Sequence, residues 1–268
     1  MARPIHGTPR LASGPLAVSQ RHYRFVQSFP SGSRGWAVSK IASTMSDGST
    51  RPIEIGMVSG WSYSESVFDP LRRELPNVST VAYDWSCFAA QWLDDAPQGA
   101  RPEPDAWLGW SLGGALLLEA LRRGRIAPER LILLNATPRF LDAPGWRGVP
   151  EPEWRALRRA VVRDPEPAVS AFRRRFELPN PVDGSSRRAE LADVSGLDWL
   201  ARLDLRSWLQ EVATPVECWL APDDPLVPAD WPSRLALSLQ VRCHRLPGRG
   251  HASWWHRPAE LAARLSDR

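Results

Sequence analysis

The chain has 268 residues, 43% hydrophobic and 24% charged, enough apolar content to bury the core of one large α/β domain. Its formal charge of +4 sits in the first 50 residues, where Arg3, Arg10, Arg21, Arg24, Arg34 and Lys40 face one acid, Asp47. The remainder is close to neutral and gives a nucleic-acid partner no support.

No run of about 18 apolar residues marks a membrane span, and no short apolar block marks a secretory signal. Cys87, Cys218 and Cys243 are an odd set without metal-ligand spacing. They read as reduced, mostly buried thiols of a cytoplasmic protein, and no turn motif presents Cys87 as a nucleophile.

Residues 1–50 show no sustained helical or strand period and are rich in Ser, Gly, Arg and Pro, a composition expected to be disordered. Arginine and serine with few acids also resemble a transit peptide. A start at Met45, leaving the upstream stretch a mis-annotated leader, is a further reading; disorder or such a leader is the expectation. From Pro52 the pattern becomes orderly. Ile53–Val58 reads as a buried strand, Ser59-Gly60-Trp61 as a loop, and Ser62 with Glu65 as a capping box for a helix burying Val67, Phe68, Leu71 and Leu75. Thr80–Tyr83 is the next strand.

A strand at 105–110 then runs into Gly109-Trp110-Ser111-Leu112-Gly113, and a Leu/Ala-rich helix follows over 113–123. This is the G-x-S-x-G pattern between a strand and a helix, a turn sharp enough to strain the serine and to demand small residues on both sides. Leu131–Leu134 is a strand. Residues 141–195 are helical and loop-like, with Arg155, Arg158, Arg159 and Arg163 opposite Trp154, Leu157 and Val161. A helix near 198–210, a strand at Val216–Leu220, a helix near 229–238, a strand at Val241–Leu246 and a last helix from Pro258 complete the chain. Strands alternating with helices indicate a mostly parallel, doubly wound sheet. The expected organisation is a core of 51–140 and 196–268 with 141–195 inserted as a helical cap.

A serine hydroxyl is a weak nucleophile until a base takes its proton, and an imidazole serves best when a carboxylate orients it. Both partners follow at strand ends. Asp223-Asp224-Pro225 comes after 216–220, and Gly248-Arg249-Gly250-His251 after 241–246. Asp224 is the expected acid, with Asp223 its competitor or the two merely forming an Asx-turn. His251 is the expected base. His244 lies within a strand, His256 reads as a cap, and His6 and His22 fall in the leader. The order Ser, acid, His is that of the α/β-hydrolase fold. Oxyanion donors are expected from the backbone N–H of Leu112 and of Trp61.

Gly109-Trp110-Ser111-Leu112-Gly113-Gly114, Ser59-Gly60-Trp61, Asp224-x-Leu226-Val227-Pro228 and Gly250-His251-Ala252 together resemble the pimeloyl-[acyl-carrier protein] methyl ester esterase family. So do Asn135-Ala136-Thr137-Pro138-Arg139-Phe140 and Leu203-Asp204-Leu205-Arg206. The likeness runs over roughly residues 53–265. It departs at Ser59, where the family carries a histidine that shapes the loop, and in the leading strands, which are missing or unrecognisable. The resemblance implies a cytoplasmic serine carboxylesterase that hydrolyses a pimeloyl methyl ester carried by acyl-carrier protein, without metal or cofactor, as a monomer. It implies that cap arginines hold the acidic carrier, the candidates being Arg155, Arg159, Arg173, Arg174, Arg175, Arg187 and Arg188. Trp61, Trp110, Phe172 and Phe176, with Arg173 and Arg175, are the expected substrate contacts. A general carboxylesterase or thioesterase, a menaquinone-pathway lyase and a non-catalytic scaffold are the alternatives.

Overall fold

The apolar runs become one sheet. In the computed structural model, which describes residues 43–44, 50–94, 102–179, 193–246 and 248–266, the strands are β1 (Glu54–Val58), β2 (Ser79–Tyr83), β3 (Ala106–Trp110), β4 (Arg130–Leu134), β5 (Val216–Leu220) and β6 (Val241–Arg245). They lie in the order β2-β1-β3-β4-β5-β6, and every pairing is parallel. From β1 the chain steps outward to β2 and then returns to the other side of β1 as β3. That reversal opens a crevice at the carboxyl ends of β1 and β3, where open α/β sheets bind ligands.

Among the described residues the α-helices are α1 (Asp69–Arg73), α2 (Trp85–Phe88), α3 (Leu112–Arg122), α4 (Glu151–Arg163), α5 (Pro165–Arg175), α6 (Val194–Arg202), α7 (Ser253–His256) and α8 (Pro258–Ser266). They cover both faces of the sheet, so the central strands are apolar throughout rather than alternating. Trp107, Leu131 and Leu133 point to one face and pack with Leu116 and Leu117 of α3. Leu108, Trp110, Ile132 and Leu134 point to the other and pack with Phe68, Trp254 and Leu261. A separate two-residue antiparallel pair joins Ser43–Thr44 to Thr50–Arg51. The rest of the leader, including His6 and His22, lies outside the described residues.

Four local expectations change. The capping box does not form: Ser62 takes φ 67° and the helix starts later, through a 3₁₀ turn at Glu65–Phe68, although Val67, Phe68, Leu71 and Leu75 are buried as expected. The segment near 229–238 makes only a 3₁₀ turn, Trp231–Arg234, because Pro232 supplies no N–H and Leu235 is extended. The helix expected near 198–210 runs instead from Val194, where the Asp193 carboxylate accepts the Ser195 N–H as its cap, to Arg202, and only a 3₁₀ turn, Trp208–Gln210, follows. Finally, only Cys218 is buried; Cys87 is half-buried, and Cys243 is exposed because β6 is an edge strand.

The excursion between β4 and β5 is tied at both ends. The Leu205 N–H donates to the Pro138 carbonyl (2.9 Å), and Arg139 and Arg206 both reach Asp204 at 2.8 Å. The hydrogen bond from Arg206, supported by the charge of Arg139, holds the Asp204 carboxyl below its usual range. Within the excursion α6 packs on α4, where the Trp154 indole donates to the Leu197 carbonyl (3.0 Å) and Arg158 grips Asp198 at 2.7 and 3.0 Å.

Candidate active site

Three loops at the carboxyl ends of β3, β5 and β6 bring Ser111, Asp224 and His251 together. Ser111 sits between β3 and α3 at φ 55°, ψ −119°, a strained conformation for any residue with a side chain. It persists because Gly109 and Gly113 allow close backbone passage. A Cβ on Gly109 would lie 2.6 Å from the Gly114 backbone, and one on Gly113 would collide with the Val58 and Ser59 carbonyls.

His251 Nε2 lies 2.8 Å from Ser111 Oγ, and its Nδ1 lies 2.7 Å from Asp224 Oδ2. The second Asp224 oxygen accepts the N–H groups of Leu226 (2.8 Å) and Val227 (3.0 Å), so the carboxylate is locked by its own turn. His251 and Asp224 are buried. Asp223, the competing acid, faces outward: it pairs with Arg249 at 2.6 Å and accepts the Gly250 N–H at 3.1 Å. The Arg249 bond and then that N–H hold its carboxyl below the usual range. Neither His244 nor His256 reaches this cluster. His244 packs on Trp219 (4.5 Å), and His256 ends α7 against Trp255.

Two residues that carry no assigned role in the sequence reading hold the geometry. Asn135, at the end of β4 with φ 43°, is buried. Its amide donates to the His251 carbonyl (2.8 Å) and the Gly250 carbonyl (3.2 Å), while its oxygen accepts the Ala221 N–H (2.8 Å). One side chain thus clamps the histidine loop to the end of β5, and the Trp110 indole adds a bond to the same His251 carbonyl (3.0 Å). The signal available beforehand was an asparagine at a strand end, a residue that tolerates the left-handed region. Ser59 is the second. Its hydroxyl donates to the Tyr63 carbonyl (2.6 Å) and accepts the Trp85 N–H (3.2 Å). This serine pins the loop after β1 from the inside.

Leu112 opens α3, and an N–H in a helix's first turn has no partner within the helix. Trp61 follows Gly60, where a Cβ would lie 3.3 Å from Ser111 Cβ. Leu112 is thus the chain neighbour of Ser111, and Trp61 lines the same pocket as Ser111. The pocket above it is lined by Trp61, Tyr63, Trp110, Phe172, Leu197 and Leu226 among others, with a volume of about 30 Å³, room for one or two waters. Phe176 packs on Phe172 (5.0 Å) but lines a neighbouring open cleft of about 490 Å³ with Arg175, Asp223 and Arg249. Arg175 is exposed and paired with Glu153 (2.8 Å). Arg173 is buried against Ser62 and Tyr63 and does not line the pocket. Arg155 pairs with Glu151 (2.7 Å), Arg159 and Arg174 are exposed, and Arg187 and Arg188 lie outside the described residues. Among the described residues no cluster is placed to hold a metal ion, and no helix is long and apolar enough to cross a membrane.

A parallel sheet with a serine turn after its central strand, a carboxylate after β5 and a histidine after β6 defines a class. The chain belongs to the alpha/beta hydrolase family, whose sequence pattern matches residues 55–264. Within that family it is similar to curated proteins named pimeloyl-[acyl-carrier protein] methyl ester esterase. The protein of Methylococcus capsulatus is 28% identical over 226 residues, covering 76% of this chain and 89% of that one. Its counterpart in Xanthomonas oryzae is 30% identical over 223 residues, covering 73% and 87%. Among solved structures, an esterase from Exiguobacterium antarcticum superposes with a TM-score of 0.64 at 17% identity over 85% of this chain and 98% of that one, a likeness of fold.

Proposed function

We propose that the chain is a serine carboxylesterase that hydrolyses the methyl ester of pimeloyl-[acyl-carrier protein] in biotin biosynthesis. The observation that carries the reaction class is the unbroken relay from Ser111 Oγ through His251 to Asp224, with contacts of 2.8 and 2.7 Å. The names of the relatives support the substrate. Ser111 attacks the ester carbonyl while His251 Nε2 takes its proton, and Asp224 steadies the imidazolium. The tetrahedral oxyanion meets the N–H groups of Leu112 and Trp61. His251 returns the proton to departing methanol, then activates a water that frees the acid from Ser111.

The apolar lining by Trp61, Trp110, Phe172, Leu197 and Leu226 suits a methylene chain and a neutral ester. Its small volume means that lining side chains have to move aside for an acyl chain to enter. A carboxylate formed in such surroundings is poorly solvated, which favours release of the product. Arg159 and Arg174 on the exposed faces of α4 and α5 are the cations that support carrier docking; Arg173, being buried, is withdrawn from that role.

Expression in a biotin-requiring bacterium that lacks its own methyl esterase is expected to restore growth without biotin. Robust ester hydrolysis without such rescue would replace the substrate by a general carboxylic ester. The two adjacent acids separate cleanly in the same system. Asp224→Asn is expected to lower kcat by about 10⁴-fold, since an asparagine holds the wrong histidine tautomer. Asp223→Asn, which loosens only an outer ion pair, is expected to cost less than about tenfold. Steady-state kinetics on a p-nitrophenyl ester checks both, and the reverse order of effects would transfer the acid's role to Asp223.

A further inference from the structure

The loop after β1 is gripped at three consecutive residues by the excursion that follows β4. The Trp61 indole donates to the Asp193 carbonyl at the start of α6 (3.0 Å), and its ring meets Phe172 of α5 edge-on at 5.3 Å. Ser62 receives Arg173 of α5, whose Nη2 donates to the Ser62 carbonyl and lies 3.4 Å from the Ser62 hydroxyl. Tyr63 carries the same guanidinium over its ring at 4.3 Å and donates its hydroxyl to the Pro179 carbonyl just beyond α5 (2.7 Å).

Two features of the middle contact set it apart. Arg173 is 7% exposed, and taking a guanidinium out of water is costly unless its donors and its flat face are used. Ser62 holds φ 67°, a left-handed backbone that costs a residue with a side chain about 1 kcal/mol or more and persists only where neighbours enforce it. The charge-assisted bond to the Ser62 carbonyl is an enforcing contact of this kind. Ser59 secures the loop from the sheet side, and Arg173 secures it from the excursion.

We propose that Arg173 is a positioning residue: by holding Ser62 in its left-handed turn it sets the direction of the neighbouring Trp61 N–H, and so links the seating of α5 to the quality of the oxyanion hole. The inference rests on the serine-hydrolase reading above and replaces the expectation that Arg173 contacts substrate. Rearrangement of α5 when a carrier or an acyl chain binds would then be transmitted to the reacting centre through one side chain.

The test uses the full chain, p-nitrophenyl butyrate and a trifluoromethyl ketone, whose adduct with Ser111 places an oxyanion on the same donors. In Arg173→Met, which keeps the length but removes the donors, kcat falls by about tenfold to a hundredfold while KM changes by less than about twofold. Affinity for the ketone falls by the same factor as kcat/KM, because both report transition-state stabilisation. Arg173→Lys, a cation without the planar fork, recovers part of kcat.

A variant that melts at lower temperature yet keeps wild-type kcat and ketone affinity makes Arg173 a packing residue and overturns the proposal. A loss confined to KM makes it a substrate contact and also overturns it. Should Arg173→Met fail to fold, Arg173→Lys is read against wild type by the same two ratios with the same consequences. A wild-type protein that leaves the butyrate ester intact, or a Ser111→Ala variant that cleaves it, removes the underlying reading rather than the role of Arg173 within it.

Discussion

Replacing Ser111 by alanine is expected to lower turnover of a short p-nitrophenyl ester by roughly 10⁴- to 10⁶-fold while leaving the fold intact. The size follows from the proposed relay, in which the hydroxyl bonds to the acyl carbon and the imidazole 2.8 Å away is placed to take its proton. A triad acts as a unit, so removing the nucleophile leaves only binding and the oxyanion donors, which still accelerate attack by water. Stability is expected to change little, because Ser111 is half-exposed and alanine occupies φ 55°, ψ −119° at the same cost as serine. Circular dichroism and a thermal melt check the fold, and a fluorophosphonate probe is expected to label wild type but not the variant. Undiminished turnover would remove Ser111 from the mechanism.

Gly113→Ala is expected to have the largest structural effect of any single methyl group in the site. The added carbon would meet the Val58 carbonyl oxygen and sit 2.6 Å from that of Ser59. Both are backbone atoms, one closing β1 and the other opening the loop that carries Trp61. Neither can give way as a flexible side-chain tip would. Relief requires α3 to part from β1, at a cost of about 3 kcal/mol or more, and that movement also displaces the Leu112 and Trp61 donors from Ser111. Urea denaturation is expected to show the loss of stability, and any folded fraction should show lowered kcat.

Gly124→Ala is the matching control. Gly124 has φ 65° with nothing within 4 Å of the added carbon, so it is expected to cost about 1 kcal/mol in backbone strain and no activity. Equal stability of Gly113→Ala and wild type would show that the helix and strand do not need this close approach.

Several elements were legible because their signals are local. A buried parallel strand covered on both faces is a continuous apolar run, and Ala106–Trp110 and Arg130–Leu134 lie within a residue of where the pattern puts them. The serine turn was legible because both of its glycines stand in one short stretch, although only Gly109 is demanded by the turn's own backbone at Gly114, while Gly113 is demanded by the Val58 and Ser59 carbonyls. The helix expected near 229–238 does not form although Trp231 and Leu235 are four residues apart, because Pro232 and the burial of Trp231 leave one 3₁₀ turn.

The sequence by itself determined the parallel α/β class, the serine turn and the order in which serine, acid and histidine follow one another, since each is written in a short stretch bounded by its own strand. Only the tertiary structure decided between Asp223 and Asp224. Both follow β5 as consecutive residues in one loop, and the difference is that one carboxylate turns inward to His251 while the other meets Arg249 outside. Folding also gave Asn135, Ser59 and Arg173 their places, through contacts with Gly250, Trp85 and Ser62. Those partners lie 115, 26 and 111 residues away in the chain. A hydrogen bond across such a separation has no periodicity to announce it, because it exists only once the strands have brought the two loops to the same end of the sheet.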